Sequence, residues 1–232
     1  MFTEDVIVDE LIDFLSGATQ TTQFTTQTAL IHFATNRANL DRVRAEFEEV
    51  AGAQKTKQGL DTETVVRDLV TIDNCSDLTF LGYVINEALR VNSPASSSSH
   101  LQFETDMTIG GFKVKAFDPM LINFVPMHYN SAYWQEPQRF NPDRFDPSHP
   151  DALTPDGKKR PQACWLPFNG GKRICFGKTF AEMALKMVLT ILSQRFNFEL
   201  VEVGKYSDTK FPMLVLGISH IPKIPIKFTK YE

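Results

Sequence analysis

Four stretches of the chain carry apolar residues at helical spacing. They lie at residues 3–36, 39–50, 78–91 and 180–196. In each stretch an apolar residue recurs every three or four positions, which is the period of an amphipathic helix. A polar break is expected at 52–59, followed by a short helix at 61–70. The pattern therefore predicts a mainly helical protein.

Between the third and fourth helical stretches the apolar runs are much shorter. They lie at 101–103, 107–109, 112–114 and 121–124. Gly110-Gly111 and Asp118-Pro119 separate them, and such turn residues between short apolar runs are typical of β-hairpins. Residues 146–163, rich in Pro, Asp and Lys, predict an exposed loop, and the alternating residues 211–226 predict a terminal hairpin. The fold class expected is mainly α with a small β region.

Length and composition indicate one globular domain. The chain has 232 residues, 42% hydrophobic residues and 19 phenylalanines, which is enough for one sizeable core. We therefore expect a single domain over residues 1–232. The net charge of −4 provides no overall basic field for nucleic acid, so no nucleic-acid partner is expected.

The cysteines and the apolar runs argue against several other classes of protein. Cys75, Cys164 and Cys175 are odd in number and form no Cys-x-x-Cys pair, so neither a disulfide framework nor a structural zinc site is indicated. A reducing compartment is the simplest interpretation. No apolar run reaches the roughly 18–20 residues of a membrane span, and the N-terminus has no signal-peptide pattern.

The first helical stretch contains an unusual polar middle, residues 19–28, in which six of ten residues are threonine. Threonine is a mediocre helix former because its β-branch restricts χ1 and its hydroxyl competes for backbone groups. Two interpretations remain open. Either a polar loop splits the helix in two, or one helix bends over a cavity with its hydroxyls turned inward.

Cys175 lies in a glycine-rich segment, Phe168-Asn-Gly-Gly-Lys-Arg-Ile-Cys-Phe-Gly177, that enters the last helix. Backbone N–H groups and the positive end of the helix dipole favour the thiolate there, as does Arg173. The glycines, Gly177 among them, allow a sharp turn and close approach to a flat ligand. The segment is thus suited to a soft metal ligand, although a small buried cysteine or an anion site would also fit.

A nucleotide-binding loop is a further alternative, because Gly177-Lys178-Thr179 resembles the end of one. That motif needs four residues between its first glycine and the Gly-Lys-Thr, whereas Gly171 leaves five. Lys172 occupies the required glycine position, and the residues before the loop form a poor strand. The spacing therefore argues against nucleotide binding.

The spacing Phe168-x-x-Gly171-x-Arg173-x-Cys175-x-Gly177 resembles the haem-binding motif of the cytochrome P450 family. The resemblance implies haem as cofactor, with Cys175 as the axial thiolate of its iron. It also implies that Arg173 pairs with a haem propionate and that Phe168 shields the sulfur. His100, six residues after Pro94, matches a second propionate contact of the family, and an ordinary surface histidine is the alternative.

The polar middle of the first helix resembles the family's distal motif, Ala-Gly-x-(acid)-Thr-Thr. Without a gap, Thr19 stands at the acid and Gln20 at the alcohol; shifted by one residue, Gln20 stands at the acid and Thr21 at the alcohol. Glutamine cannot titrate. The resemblance therefore makes Thr21 the candidate catalytic residue, with protons passing through water held by Thr21 or Thr22.

Glu87 and Arg90 are three residues apart, so they lie on one helix face and can pair. An exposed pair of this kind contributes only ~0.2–0.5 kcal/mol. In the family the pair is buried and joined by a third arginine, and the segment Asn141-Pro-Asp-Arg-Phe145 makes Arg144 the candidate. The resemblance thus predicts a buried structural network.

The function implied by resemblance is that of a monooxygenase, which inserts one oxygen atom from O2 into a small apolar substrate. Electrons would come from NADPH through a reductase, docked on a basic patch formed by residues 156–160 with Lys172 and Lys178. The alternative is a truncated, non-catalytic binding or scaffold protein, since the family's N-terminal half is absent. Membrane association is expected only through that missing part, in the endoplasmic reticulum for a full-length eukaryotic-type member.

Overall fold

The computed structural model describes residues 3–58, 76–202, 204, 207 and 224–231. Its helices are α1 (Glu4–Thr35), α2 (Arg37–Gln58), α3 (Thr79–Val91), the single turn α4 (Val125–His128) and α5 (Lys178–Arg195). Its strands are β1 (Met107–Ile109), β2 (Phe112–Val114), β3 (Phe196–Leu200) and β4 (Ile226–Lys230). The predicted helix at 61–70 and nearly all of the predicted hairpin at 211–226 lie outside the described residues. The fold is mainly α with small sheets, as predicted.

α1 is one continuous helix, so of the two interpretations of its threonine-rich middle the splitting loop is wrong. Thr3 caps its start by accepting a hydrogen bond from the Val6 amide. Within the threonine-rich middle, the hydroxyls donate to carbonyls four residues earlier, as from Thr21 to Gly17 (2.7 Å) and from Thr25 to Thr21 (3.0 Å). A hydroxyl bonded in this way leaves the backbone hydrogen bonds in place, which is how the helix accommodates this composition.

α2 runs to Gln58, so the polar break predicted to begin at residue 52 is wrong. The residues after Gly52 include glutamine and lysine, which are good helix formers. One glycine costs a helix only about 1 kcal/mol, and Ala51 beside it is fully buried. The stabilisation from burying the preceding turn therefore exceeds the free-energy cost of the glycine.

The predicted β region is confirmed in part. β1 and β2 form an antiparallel hairpin across Gly110-Gly111, whose positive φ angles suit glycine. The runs at 101–103 and 121–124 are not strands; they contribute one isolated bridge each, Leu101 with Met120 and Asn123 with Ser97. β3 and β4 form a second antiparallel pair. The sheets are thus small, and β3 contributes Phe198 to the hydrophobic core.

The hydrophobic core joins the second half of α1 to α2, α3 and α5. Its fully buried apolar residues include Ala29, Phe33, Leu40, Leu81, Val84, Ala88, Leu185 and Leu189. Polar contacts fix the packing: Glu46 of α2 accepts hydrogen bonds from the amides of Phe80 (2.5 Å) and Leu81 (3.0 Å) at the start of α3. Leu78 supplies no side-chain cap there, so Glu46 caps α3 from a neighbouring helix.

The first half of α1 differs from the rest of the core helices, because its apolar side chains are exposed. These are Val6, Ile7, Val8, Leu11, Ile12, Phe14 and Leu15, with exposed fractions from 37% to 61%. Apolar periodicity predicted that several of them belong to a buried face. None of the helices in the described ranges combines the length and hydrophobicity that a bilayer crossing requires.

Candidate functional site

A cavity of about 540 Å³ lies between α1, residues 94–99 and the cysteine loop, which we define as residues 167–177. It brings together four of the predicted cofactor-binding residues: Phe168, Arg173, Cys175 and Gly177. His100 is exposed and is not among the lining residues, although its neighbour Ser99 is. Four of the five predicted cofactor-binding residues thus line one concavity, and His100 stands outside it.

The cysteine loop is closed by its own backbone. The Cys175 amide donates to the Phe168 carbonyl (2.9 Å), and the Lys178 amide donates to the Cys175 carbonyl (3.3 Å) as α5 begins. Gly171 has φ +66, in the left-handed region that favours glycine. The Cys175 side chain is exposed, unlike Cys164, which is buried. Cys175 therefore lies in the turn entering a helix, as the sequence predicted, with its sulfur accessible.

The α1 wall of the cavity distinguishes the two possible registers of the distal motif. Thr21 and Thr22 line the cavity, whereas Gln20 is exposed and does not. The shifted register, with Thr21 at the alcohol position, is thus the one that faces the cavity. The Thr21 hydroxyl already donates to Gly17, whereas the Thr22 hydroxyl has no hydrogen-bond partner among the described residues.

Sequence reasoning missed several residues of this site. The Phe14 ring lies near those of Phe176 (5.9 Å between centroids) and Phe180 (6.1 Å), so three aromatic rings connect α1 to the cysteine loop and α5. Glu10 and Asp13 also line the cavity. The helical spacing of Glu10, Asp13, Phe14 and Gly17 was the available signal, because positions three and four apart share one face.

The residues present fit a haem group. The cavity has a soft sulfur donor at Cys175, and the α1 wall offers small residues such as Gly17 and Ala18. A Cβ added at Gly177 would lie 3.8 Å from the Cys175 sulfur, so the glycine keeps one flank of the sulfur open. Arg173 lines the same cavity and has no carboxylate partner among the described residues, which leaves its guanidinium available to an anionic group.

Behind the cavity wall, the structure contains the predicted buried network. The two carboxylate oxygens of Glu87 accept from Arg90 at 2.7 and 2.8 Å, and one of them also accepts from Arg144 at 3.3 Å. All three side chains are almost completely buried. The Asn141 amide donates to the same carboxylate (2.8 Å). The network ties α3 to the segment around Arg144.

The arginines of this network also hold backbone carbonyls. Arg90 donates to the carbonyls of His128 (2.8 Å), Pro137 (2.9 Å) and Arg139 (3.2 Å), and Arg144 donates to that of Glu136 (2.8 Å). Burial alone would lower the pKa of Arg90, but the Glu87 carboxylate outweighs it and raises that pKa. The Arg90 guanidinium therefore stays charged, and its bonds fix the chain between residues 128 and 139.

The predicted exposed loop at 146–163 is only partly exposed. It contains 3₁₀ turns at Pro150–Ala152 and Gln162–Cys164. Arg160 turns inward, where it bonds the Asp151 and Arg144 carbonyls and lies 4.2 Å from the Trp134 ring. Lys158 pairs with Asp156 at 2.7 Å. The basic cluster predicted in this loop thus retains fewer free cations than its composition indicates.

Two histidines are buried in neutral form. Desolvation lowers the pKa of His32 to about 3, and its ring stacks on Phe140 at 3.6 Å. Desolvation, followed by the nearby Arg90 charge, lowers the pKa of His128 to about 4. Neither histidine lines the cavity. They belong to the packing that supports it.

Comparison with known proteins places the chain in a family. The family model for cytochrome P450 matches residues 1–227. Cytochrome P450 2J5 of Mus musculus is 24% identical over 229 residues, covering 96% of this chain and 41% of the relative. The self-sufficient cytochrome P450 monooxygenase CYP505AG1 of Oidiodendron maius is 28% identical over 200 residues, covering 85% and 17%.

Comparison with solved structures identifies the same fold. The crystal structure of a cytochrome P450, CYP102L1, superposes with a TM-score of 0.76 at 22% identity, over 99% of this chain and 46% of that one. This likeness confirms the predicted fold. The chain spans less than half the length of these three proteins. Since the family model matches nearly every residue, the chain belongs to the cytochrome P450 family.

Proposed function

We propose that residues 1–232 form the C-terminal, haem-binding unit of a P450-type monooxygenase. Its reaction would insert one oxygen atom from O2 into a small apolar organic substrate. Electrons would come from NADPH through a reductase or another donor. Relatives with P450 names, one of them a monooxygenase, support this class of enzyme. The observation that carries the proposal is the exposed Cys175 side chain in a cavity that Thr21 also lines.

Each predicted cofactor residue has a defined part in this proposal. Cys175 would hold the haem iron through its thiolate, and Arg173 would pair with a propionate. Phe168 would cover the sulfur, and Gly177 keeps a side chain away from it. His100 remains a candidate for a second propionate, although it lies outside the cavity lining. When bound, thiolate-ligated haem supplies the activation of dioxygen.

Thr21 and Thr22 of α1 would hold the water that carries protons near the bound substrate. Because Thr21 Oγ1 donates its own proton to the Gly17 carbonyl, its lone pairs are what it offers to a cavity water. Thr22 Oγ1 has no partner among the described residues, so its proton is available to donate. The pair would thus orient water without a titrating side chain at Gln20.

The electron donor would dock beside the cysteine loop. Lys158 and Lys178 are paired with Asp156 and Glu182, so Lys159 and Lys172, both exposed, are the stronger candidates for contact with an acidic donor. Association with the endoplasmic reticulum is proposed only for a longer, eukaryotic-type protein of which this chain would be a part.

The test is the reduced carbon monoxide difference spectrum of the haem-loaded chain. We expect the red-shifted Soret band that thiolate ligation gives, and its loss in Cys175→Ala. Cys164→Ala is the matched control, because Cys164 is buried outside the cavity, and it should keep the band. Failure of the haem-loaded wild-type chain to give the band would reject the proposal.

A non-catalytic binding or scaffold protein is the second candidate. It is favoured by the distal motif, in which neither Thr19 nor Gln20 can titrate. Turnover decides between the two. Substrate oxidation on addition of a reductase and NADPH supports the enzyme, whereas a normal thiolate spectrum without electron transfer or product supports the binding protein.

A further inference from the structure

His128 joins two parts of the molecule that are far apart in sequence. Its Nε2 accepts a hydrogen bond from the Leu166 amide (3.1 Å), and its carbonyl accepts one from Arg90 (2.8 Å). The side chain is fully buried, and its ring stacks near Phe124 at 6.4 Å between centroids. One residue therefore links the buried Glu87–Arg90–Arg144 network to the residue immediately before the cysteine loop.

The Leu166 amide is where the cysteine loop is anchored. The Leu166 carbonyl accepts from the Asn169 amide (3.2 Å), and the Phe168 carbonyl accepts from the Cys175 amide (2.9 Å). The position of Leu166 thus sets the start of the loop, and the Phe168–Cys175 bond closes it. A shift at Leu166 would be carried through two hydrogen bonds to the sulfur-bearing residue.

The imidazole can serve as this acceptor only in its neutral form. A nitrogen that accepts from an amide N–H must keep its lone pair, so the ring proton lies on Nδ1. Burial and the Arg90 charge both lower the pKa of His128, to about 4. At neutral pH the acceptor is therefore present throughout, and the bond is maintained by the surroundings of the ring.

We propose that His128 is a positioning residue for Cys175: by holding the Leu166 amide it fixes the cysteine loop, and so places the sulfur in the cavity. This deepens the proposed function, since it concerns the same sulfur. The effect acts through the backbone of the loop and requires no contact between His128 and a ligand. It is consequently measurable in the haem-free chain.

The first measurement is hydrogen exchange of backbone amides in the haem-free chain. His128→Phe keeps an aromatic ring but removes the acceptor, and it should speed exchange across the cysteine loop about tenfold, the loss expected when one buried amide loses its partner. His128→Gln retains an acceptor oxygen and should keep protection close to the wild-type value. His149→Phe is the matched control: it removes a ring nitrogen that accepts from the Asp151 amide (3.2 Å), which lies outside the cysteine loop, and it should change nothing in the loop.

The second measurement is the carbon monoxide spectrum of the same variants loaded with haem. We expect His128→Phe to lower the fraction of the thiolate band and His128→Gln to preserve most of it. Wild-type loop exchange in His128→Phe, or equally faster exchange in α3 and α5, would overturn the inference. Should His128→Phe not fold, exchange of the Leu166 amide in the wild-type chain decides: strong protection of that amide supports the inference, and exchange at the rate of an unprotected amide overturns it.

The two measurements separate this inference from the proposed function. A wild-type chain that gives no thiolate band would reject the function of Cys175. The exchange of the haem-free loop would still decide whether His128 holds it.

Discussion

Replacing Glu87 by glutamine tests how much the buried network contributes to stability. The substitution keeps the size of the side chain but removes its charge. It also replaces one carboxylate oxygen by an NH2 group, which cannot accept a hydrogen bond. Both oxygens of Glu87 are acceptors for Arg90, and one also accepts from Arg144 and from the Asn141 amide. Either orientation of the amide therefore places a donor against a donor.

The expected cost follows from the number of bonds lost and from burial. Glutamine can keep the bonds to one oxygen, so at least one charge-assisted bond is lost, and such bonds contribute about 1.5–3 kcal/mol each. Arg90 and Arg144 also lose the negative charge that compensates their burial. Breaking a buried ion pair on one side typically costs about 3–5 kcal/mol. We expect a loss in that range, which is a large share of the about 5–15 kcal/mol of a typical domain.

Urea denaturation of the haem-free chain, followed by circular dichroism, measures this loss directly. The chain offers a matched control in Glu136→Gln. Glu136 and Arg139 are also three residues apart and paired at 3.3 Å, but their side chains are 73% and 53% exposed. An exposed pair contributes about 0.2–1 kcal/mol, so the control should lose no more than that.

The comparison between the two variants decides the matter. If Glu87→Gln and Glu136→Gln lower the free energy of unfolding equally, with unchanged urea dependence, the buried network contributes no more than a surface pair, and the reasoning from burial is wrong. A changed urea dependence in Glu87→Gln alone would mean that the unfolding transition itself has changed, and then thermal unfolding is the measurement to compare.

Three further predictions concern other parts of the chain. Burial keeps His32 and His128 neutral, with pKa values of about 3 and 4 against an ordinary 6.5, so only the unfolded chain takes up these protons between pH 6.5 and 4. The free energy of unfolding should therefore fall on acidification, by up to about 1.4 kcal/mol per pH unit and histidine. Urea titrations that show constant stability over this window would contradict this prediction. Glu46→Ala removes the carboxylate that caps α3 and should cost about 1–2 kcal/mol in urea denaturation, whereas a change within error would mean that water replaces the cap. When the haem-loaded chain is supplied with a reductase and NADPH, Thr22→Val should divert more electrons to hydrogen peroxide than Thr21→Val. The reason is that the Thr22 hydroxyl proton is the one free to donate. The opposite order would make Thr21 the donor.

The sequence predicted the Glu87–Arg90 pair and the cysteine loop because their signals are local. Glu87 and Arg90 share a helix face by their spacing alone, and Cys175 lies at a glycine-rich helix entry that is readable from neighbouring residues. Arg144 was found only by resemblance, since nothing in its own segment indicates that its side chain reaches a carboxylate 57 residues earlier. Local patterns thus identified the elements, and a family pattern supplied the long-range partner.

Contacts to backbone amides and carbonyls were not predictable in the same way. Glu46 caps a helix that begins 33 residues later, and Arg44 donates to the Ser193 carbonyl across 149 residues. Every non-proline residue has the same backbone donor and acceptor, so the partner of such a side chain leaves no mark in the sequence. The link from His128 to Leu166 belongs to this class, which is why no sequence pattern indicated it.

The distal motif illustrates why register matters on a helix. Neighbouring residues differ by about 100° around the axis, so a shift of one residue changes which side chains face the cavity. The sequence left Gln20 and Thr21 as alternatives for the alcohol position. The structure favours Thr21, since it lines the cavity and Gln20 does not.

The first half of α1 shows the remaining limit of reasoning from periodicity. Val6, Ile7 and Val8 are consecutive, so they point in three directions around the helix, and all are at least 40% exposed. The same segment also contains five acidic residues: Glu4, Asp5, Asp9, Glu10 and Asp13. A group of exposed apolar side chains on a helix normally packs against another surface. The pattern therefore indicates that these side chains pack against another element. Which element that is depends on atoms outside the helix, and no spacing within residues 4–15 contains that information. For the same reason this chain defines the wall of the cavity on the side of the sulfur, whereas the wall beside Phe14 would depend on what packs against the first half of α1.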